Sequence, residues 1–220
     1  MTSIAQNIQE IEQAISERTK LIAVTKTKPV AILEETYNSG FRRFGENKVQ
    51  EMTEKYNLLP KDIEWHMIGH LQSNKVKYMA PFVSLVHSVD GFKLLKEINK
   101  EANKNNRVIE CLLQIFIAKE ETKFGLSDAE AIEILETPEL NSLTNIKIVG
   151  LMGMASNTED RDQIRQEFRH LKSLFESFKK YENDRISMRE LSMGMSGDYL
   201  IAAEEGSTLI RVGSAIFGSR

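Results

Sequence analysis

Apolar positions along the chain fall into two periods that take turns. Ile4, Ile8, Ile11 and Ile15 share one helical face behind Ser3, which with Gln6 has the spacing of a capping box, so the pattern predicts an opening helix. Leu21-Ile22-Ala23-Val24-Thr25-Lys26 follows without polar alternation and is too short for a helix, as expected of a strand buried on both faces. The alternation then repeats: helix 30–39 stopped by Gly40, strand 41–45, helix 47–57, strand 64–68, helix 73–79 and strand 83–88, with Asp90 expected to cap the next helix. That helix carries Leu94, Leu95, Ile98 and Ala102, and is followed by strand 108–117, helix 127–136 and strand 146–154. A long amphipathic helix places Ile164, Phe168, Leu171, Phe175 and Phe178 on one stripe. Strand 190–193, helix 198–205 and strand 208–212 complete the pattern.

Eight strands in strict alternation with helices imply parallel pairing through right-handed crossovers, and eight such units close into a barrel more readily than they stay open. The expected fold is a TIM-type (β/α)8 barrel with an extra N-terminal helix, a single domain over 1–220. The competing open, doubly wound sheet would carry a G-x-G-x-x-G turn after its first strand, and this chain has none.

Composition narrows the partners. With 29 Lys and Arg against 32 Asp and Glu, and no basic stripe, a general nucleic-acid binder is disfavoured. Cys111, the single cysteine, cannot pair within its chain and suits a reducing compartment. The N-terminus lacks the pattern of a signal peptide, and no apolar run reaches the roughly 18 residues of a membrane span. A cytoplasmic protein without nucleic-acid or membrane contacts is expected.

In such a barrel, binding groups lie beyond the C-terminal ends of the strands. Lys26 ends the first strand on the side of Ile22 and Val24, and would project, partly desolvated, into the mouth. Desolvation or a nearby cation gives the neutral amine that Schiff-base chemistry needs, whereas a strand-end lysine more commonly snorkels to solvent. Ser196, with Gly197, stands before a helix, as an anion ligand or simply as its cap. Gly213 and Ser214 leave the eighth strand, where barrels commonly grip phosphate. Arg211 lies inside that strand, so its charge needs a partner, either a neighbouring carboxylate or a ligand. His66 and His70 lack a zinc-protease context and predict no metal. His87 is expected at a strand end, His170 on a charged helix face, and Lys123 is a loop lysine that nothing nearby distinguishes.

The residues 23–29, Phe44-Gly45-Glu46-Asn47, 65–75, Gly150-Leu151-Met152-Gly153-Met154, 191–196 and 210–218 occur in an order that resembles the pyridoxal phosphate homeostasis protein family over essentially the whole chain. The resemblance implies pyridoxal 5'-phosphate as cofactor, held as a lysine aldimine on Lys26. It further implies phosphate on Ser196 and the Gly213 and Ser214 amides, the pyridine nitrogen opposite Arg211, and Asn47 and Met154 near the cofactor. The sequence departs from the family's pattern at Phe124-Gly125, where a small residue more often precedes the glycine.

The same site is similar to that of alanine racemase and ornithine decarboxylase. Racemases add a tyrosine base from a further domain and a histidine stacked on the ring. Here the chain stops at Arg220, and Met154 matches that histidine. The implied function is a carrier in cofactor (vitamin B6) and amino-acid balance without efficient catalysis, with cofactor-accepting apoenzymes as transient partners and a monomer or weak dimer as its form. A small amino-acid racemase or decarboxylase is the alternative.

Overall fold

A computed structural model of the protein describes residues 3–119 and 124–218, so Lys123 and Arg220 lie outside the described residues. The helices and strands alternate as α1 (Ile4–Ala14), β1 (Lys20–Val24), α2 (Val30–Asn38), β2 (Arg43–Glu46), α3 (Val49–Leu58), β3 (Glu64–Met67), α4 (Val76–Met79) and β4 (Leu85–Val89). They continue as α5 (Phe92–Lys104), β5 (Ile109–Ile115), α6 (Asp128–Glu136), β6 (Ile146–Gly153), α7 (Arg161–Phe178), β7 (Ile186–Ser192), α8 (Tyr199–Glu204), β8 (Leu209–Val212) and α9 (Ser214–Phe217). All strand pairs are parallel and the sheet closes in sequence order, with Ile22 of β1 opposite Arg211 of β8. This is a TIM-type (β/α)8 barrel preceded by one helix.

Local chemistry sets the element ends. Ser3 Oγ accepts from the Gln6 amide while the Gln6 side chain accepts from the Ser3 amide, and Ser127 and Glu130 repeat the device on α6. The apolar stripe of α7 is buried against the barrel as expected. Three expectations need correction. β7 begins four residues early, because Ile186 and Met188 alternate with half-buried or exposed polar residues whose charges are paired outside the barrel. There Arg189 reaches Glu110, and Lys20 meets Glu190 at 3.1 Å. Asp90 does not cap α5, whose N-cap is Gly91; its carboxylate lies 3.3 Å from His70. Residues 73–75 form a 3-10 turn before α4.

The main apolar core lies between strands and helices, and a smaller cluster of Ile22, Leu85, Leu112, Val149, Met152 and Leu209 fills the barrel. Above that plug runs a buried polar chain. His66 Nδ1 lies 2.9 Å from His87 Nε2, His87 Nδ1 lies 2.9 Å from Ser192 Oγ, and Arg211 donates to that oxygen at 2.5 Å. His87 is thus interior, fully buried in β4, and not a strand-end residue. Burial drives the His66 pKa down to about 3, and burial together with His66 and Arg211 holds His87 well below the ordinary histidine value. Both rings are therefore neutral at physiological pH.

Two predictions follow from this packing. At Gly150 the register of β6 slips against both neighbouring strands, and a Cβ there would lie 1.7 Å from the Glu190 carbonyl oxygen. Gly150→Ala should cost about 3 kcal/mol or more in urea unfolding, since backbone rather than a side chain must move. The depressed histidines make stability fall as pH drops below about 6.5, because the unfolded chain binds protons the barrel refuses, and His66 adds to this slope down to about pH 3. Between about pH 6 and 4, His66→Gln should flatten the fall by about 1.4 kcal/mol per pH unit. A slope identical to that of the parent protein would mean that His66 titrates normally.

Candidate functional site

Side chains one step further along each inward-facing row emerge at the C-terminal mouth. Ile22 is in the barrel plug, Val24 and Lys26 stand above it, Leu209 is followed by Arg211 and Gly213, and His66 by Ile68. These rows enclose a cleft of about 370 Å³. All seven residues singled out from the sequence line it: Lys26, Asn47, Met154, Ser196, Arg211, Gly213 and Ser214. Lining residues that the sequence did not single out include Val24, Ile68 and Met195; the two-residue period carried past the strand ends points to Val24 and Ile68.

The position of Lys26 differs from expectation in one respect. β1 ends at Val24, and Lys26 sits on a turn with its side chain exposed, not partly buried by the barrel wall. Among the described residues it has no hydrogen-bond or ion-pair partner. Lys28, by contrast, donates to the Phe217 carbonyl at 3.4 Å and lies over the Phe217 ring. The two lysines of the segment are thereby distinguished.

On the wall built by the loops after β7 and β8, Ser196 is not the cap of α8, which begins after Asp198; its Oγ accepts from the Gly213 amide at 3.2 Å and joins the two loops. Gly213 passes so close to β1 that a Cβ would meet the Val24 carbonyl oxygen at 3.2 Å. A bare backbone is needed there for the loop to reach the mouth of β1. The result is a hydroxyl and backbone N–H groups at one end of the cleft and an unpaired lysine near by, a setting suited to an anion.

Arg211 lines the same cleft and is only 4 % exposed. It is held by the bond to Ser192 and by the Gly153 carbonyl at 3.1 Å, and no carboxylate among the described residues forms an ion pair with it. Burial lowers its pKa to about 10, with Asp198 opposing, so it stays charged at neutral pH. Among the described residues, the ion pair that the sequence left open is not made. Its remaining N–H donors are free for a ligand in the cleft.

Two polar groupings escaped the sequence reading. One is the His66-His87-Ser192 chain behind Arg211; the signal was a histidine inside each of two apolar strands. The other is an ion cluster of Glu46, Glu51 and Lys55 beneath the Lys26 turn. Burial raises the Glu46 pKa, partly offset by Lys55 and Thr25.

Comparisons with known proteins agree with this geometry. Residues 1–220 match the family model described as alanine racemase, N-terminal domain. A pyridoxal phosphate homeostasis protein of Aquifex aeolicus is 42 % identical over 203 residues, covering 91 % of this chain and 87 % of that protein. The solved structure of PipY from Synechococcus elongatus PCC7942 without pyridoxal phosphate superimposes with a TM-score of 0.91 at 32 % identity, covering 98 % of this chain and all of that one. The PipY structure with pyridoxal phosphate bound gives 0.88 at 33 % identity over 98 % and 100 %. The barrel fold and the sequence along nearly the whole chain are thus shared with these relatives, and the chain belongs to the family of pyridoxal phosphate homeostasis proteins.

Proposed function

We propose that the protein holds pyridoxal 5'-phosphate in the cleft at the barrel mouth and supports the balance of this cofactor and of amino acids by storing or delivering it. The observation that carries this reading is the convergence of three complementary groups on one cleft: a lysine and a buried arginine that pair with no carboxylate among the described residues, and a hydroxyl-and-amide cradle. When bound, this cofactor supplies an aldehyde that condenses with amines and a ring that withdraws electrons.

Ser196 and the backbone amides of Gly213 and Ser214 hold the phosphate, the Gly213 amide turning from Ser196 Oγ to a phosphate oxygen, and Lys26 is the amine that meets the aldehyde. Arg211 faces the ring nitrogen. An arginine is always a donor, so the nitrogen opposite it remains an unprotonated acceptor and the ring a restrained electron sink. Asn47 and Met154 flank the ring. Among the described lining residues the ionisable side chains are Lys26, Lys28 and Arg211, with no carboxylate, imidazole or phenol to act as a second base, which favours holding over proton exchange on a substrate. On this reading the carrier works in the cytoplasm as a monomer or weak dimer, and its partners are apoenzymes that accept the cofactor transiently. The exposed Lys26 turn and the buried thiol of Cys111, which burial pushes up beyond the usual thiol range, suit open exchange in a reducing setting.

Mixing the purified protein with pyridoxal phosphate should give a yellow species, and borohydride reduction should fix the label on a peptide containing Lys26. Lys26→Ala should abolish both while phosphate-dependent affinity survives in part. Label on another lysine would refute the anchor assignment. A protein that stays colourless yet binds phosphate would instead be a phosphate-binding barrel.

A further inference from the structure

Lys26 rides on the turn Thr25-Lys26-Thr27, and both flanking residues are tied to one ion cluster outside the cleft. Glu46, at the end of β2, is fully buried, and its Oε1 accepts from Thr25 Oγ1 at 2.6 Å and from Lys55 Nζ at 2.7 Å. Lys55, buried on α3, also donates to the Thr25 carbonyl at 2.8 Å and to Glu51 Oε1 at 2.7 Å. Glu51 in turn accepts from the Thr27 amide at 2.6 Å. The turn is therefore gripped by hydroxyl and carbonyl before Lys26 and by amide after it.

Two features argue that the grip serves position. Thr27 has φ 63°, a left-handed backbone conformation unfavourable for a β-branched residue, which persists only where neighbours impose it. Burying carboxylate and ammonium groups is itself costly, and an apolar trio of similar volume would pack the same space at least as well. Apolar side chains could not accept from the Thr27 amide or from the Thr25 hydroxyl. None of the three charged residues lines the cleft.

We propose that Glu46, Glu51 and Lys55 are positioning residues that lock the Thr25-Lys26-Thr27 turn so that the Lys26 nitrogen meets the aldehyde of a ligand gripped by the loops after β7 and β8. The proposal rests on the reading that the cleft takes pyridoxal phosphate. The bond at stake joins the Lys26 nitrogen to the aldehyde carbon as the carbon–oxygen double bond breaks, and the oxygen leaves as water with both hydrogens of the neutral amine. Fixing the amine beforehand raises its effective concentration at that carbon. It contributes nothing to the grip on ring and phosphate.

That separation gives the test. Parent protein, Glu51→Ala, Glu51→Gln and the double variant Glu46→Gln/Lys55→Met are titrated with pyridoxal 5'-phosphate and with pyridoxine 5'-phosphate, which carries an alcohol in place of the aldehyde. Glu51→Ala should weaken the aldehyde ligand by about tenfold and the alcohol by less than about twofold. Glu51→Gln keeps an acceptor for the Thr27 amide and should recover most of the loss. The double variant removes the buried charges together, and it should show the same selective loss even if Glu51→Ala does not fold. Equal weakening of both ligands, or no weakening of either, overturns the proposal. A parent protein that binds the two ligands alike and stays colourless sinks the underlying reading and this inference with it.

Discussion

The closing pair of strands, β1 against β8, is the constraint from which the site follows. Leu21 pairs with Ile210 and Ile22 with Arg211, so residues near the start of the chain lie beside residues near its end. Without that ladder the Lys26 turn and the Gly213 loop would be about 190 positions apart along an open sheet, at opposite edges. Closure also removes both sheet edges, which leaves the strand ends as the place where backbone groups can meet a ligand. The tight approach of Gly213 to Val24 belongs to the same ladder, since the loop can only turn over the mouth by hugging the end of β1.

Closure creates a second constraint, because the inward rows must either fill the lumen or carry polar groups that satisfy each other. The lower lumen is filled by aliphatic side chains, and above it the polar rows meet as the His66-His87-Ser192-Arg211 chain. If the Ser192 hydroxyl, accepting from Arg211, donates to His87 Nδ1, then His87 donates from Nε2 and His66 accepts at Nδ1. The alternative has each histidine donating towards Ser192, and both arrangements keep the rings neutral. Either way the arginine is fixed without spending a carboxylate on it. A carboxylate would have neutralised the charge locally and competed with any acceptor in the cleft.

Element order was legible because each unit announces its own period, and the inward position of Lys26 and Arg211 because a strand period of two extends past the strand end. What was illegible depends on contacts between rows. The early start of β7 hides behind Arg189 and Glu190, polar residues whose partners come from β5 and β1. The exposure of Lys26 depends on where β1 stops pairing, at Val24, which no side-chain pattern marks. Glu51 and Lys55 have the i, i+4 spacing that ion pairs on solvated helix faces also have, so the spacing does not mark them out. Only the adjacency of β1 and β2 brings Glu46 under that pair and turns it into a buried cluster. Lys26, Ser196, Arg211, Gly213 and Ser214 are legible from their place beyond strand ends, Asn47 and Met154 only from the resemblance, and the cleft is lined by all seven.

An exposed amine on a rigid turn has a consequence for a carrier. Desolvation of the lysine would favour its neutral form and bury the product of condensation, making capture strong and release slow. With the side chain open to solvent, water and competing amines can reach the same carbon, so release is the reverse of capture and needs no domain motion. Affinity must then come from elsewhere, and on the proposed reading it comes from Ser196, the Gly213 and Ser214 amides and the buried Arg211. Dividing the work in this way lets the grip on the anionic end stay constant while the bond at the aldehyde end opens and closes. On the same proposal, a turn held in place keeps that bond competitive despite the solvent around it, and the costly ion cluster accordingly bonds to Thr25 and Thr27, on either side of Lys26.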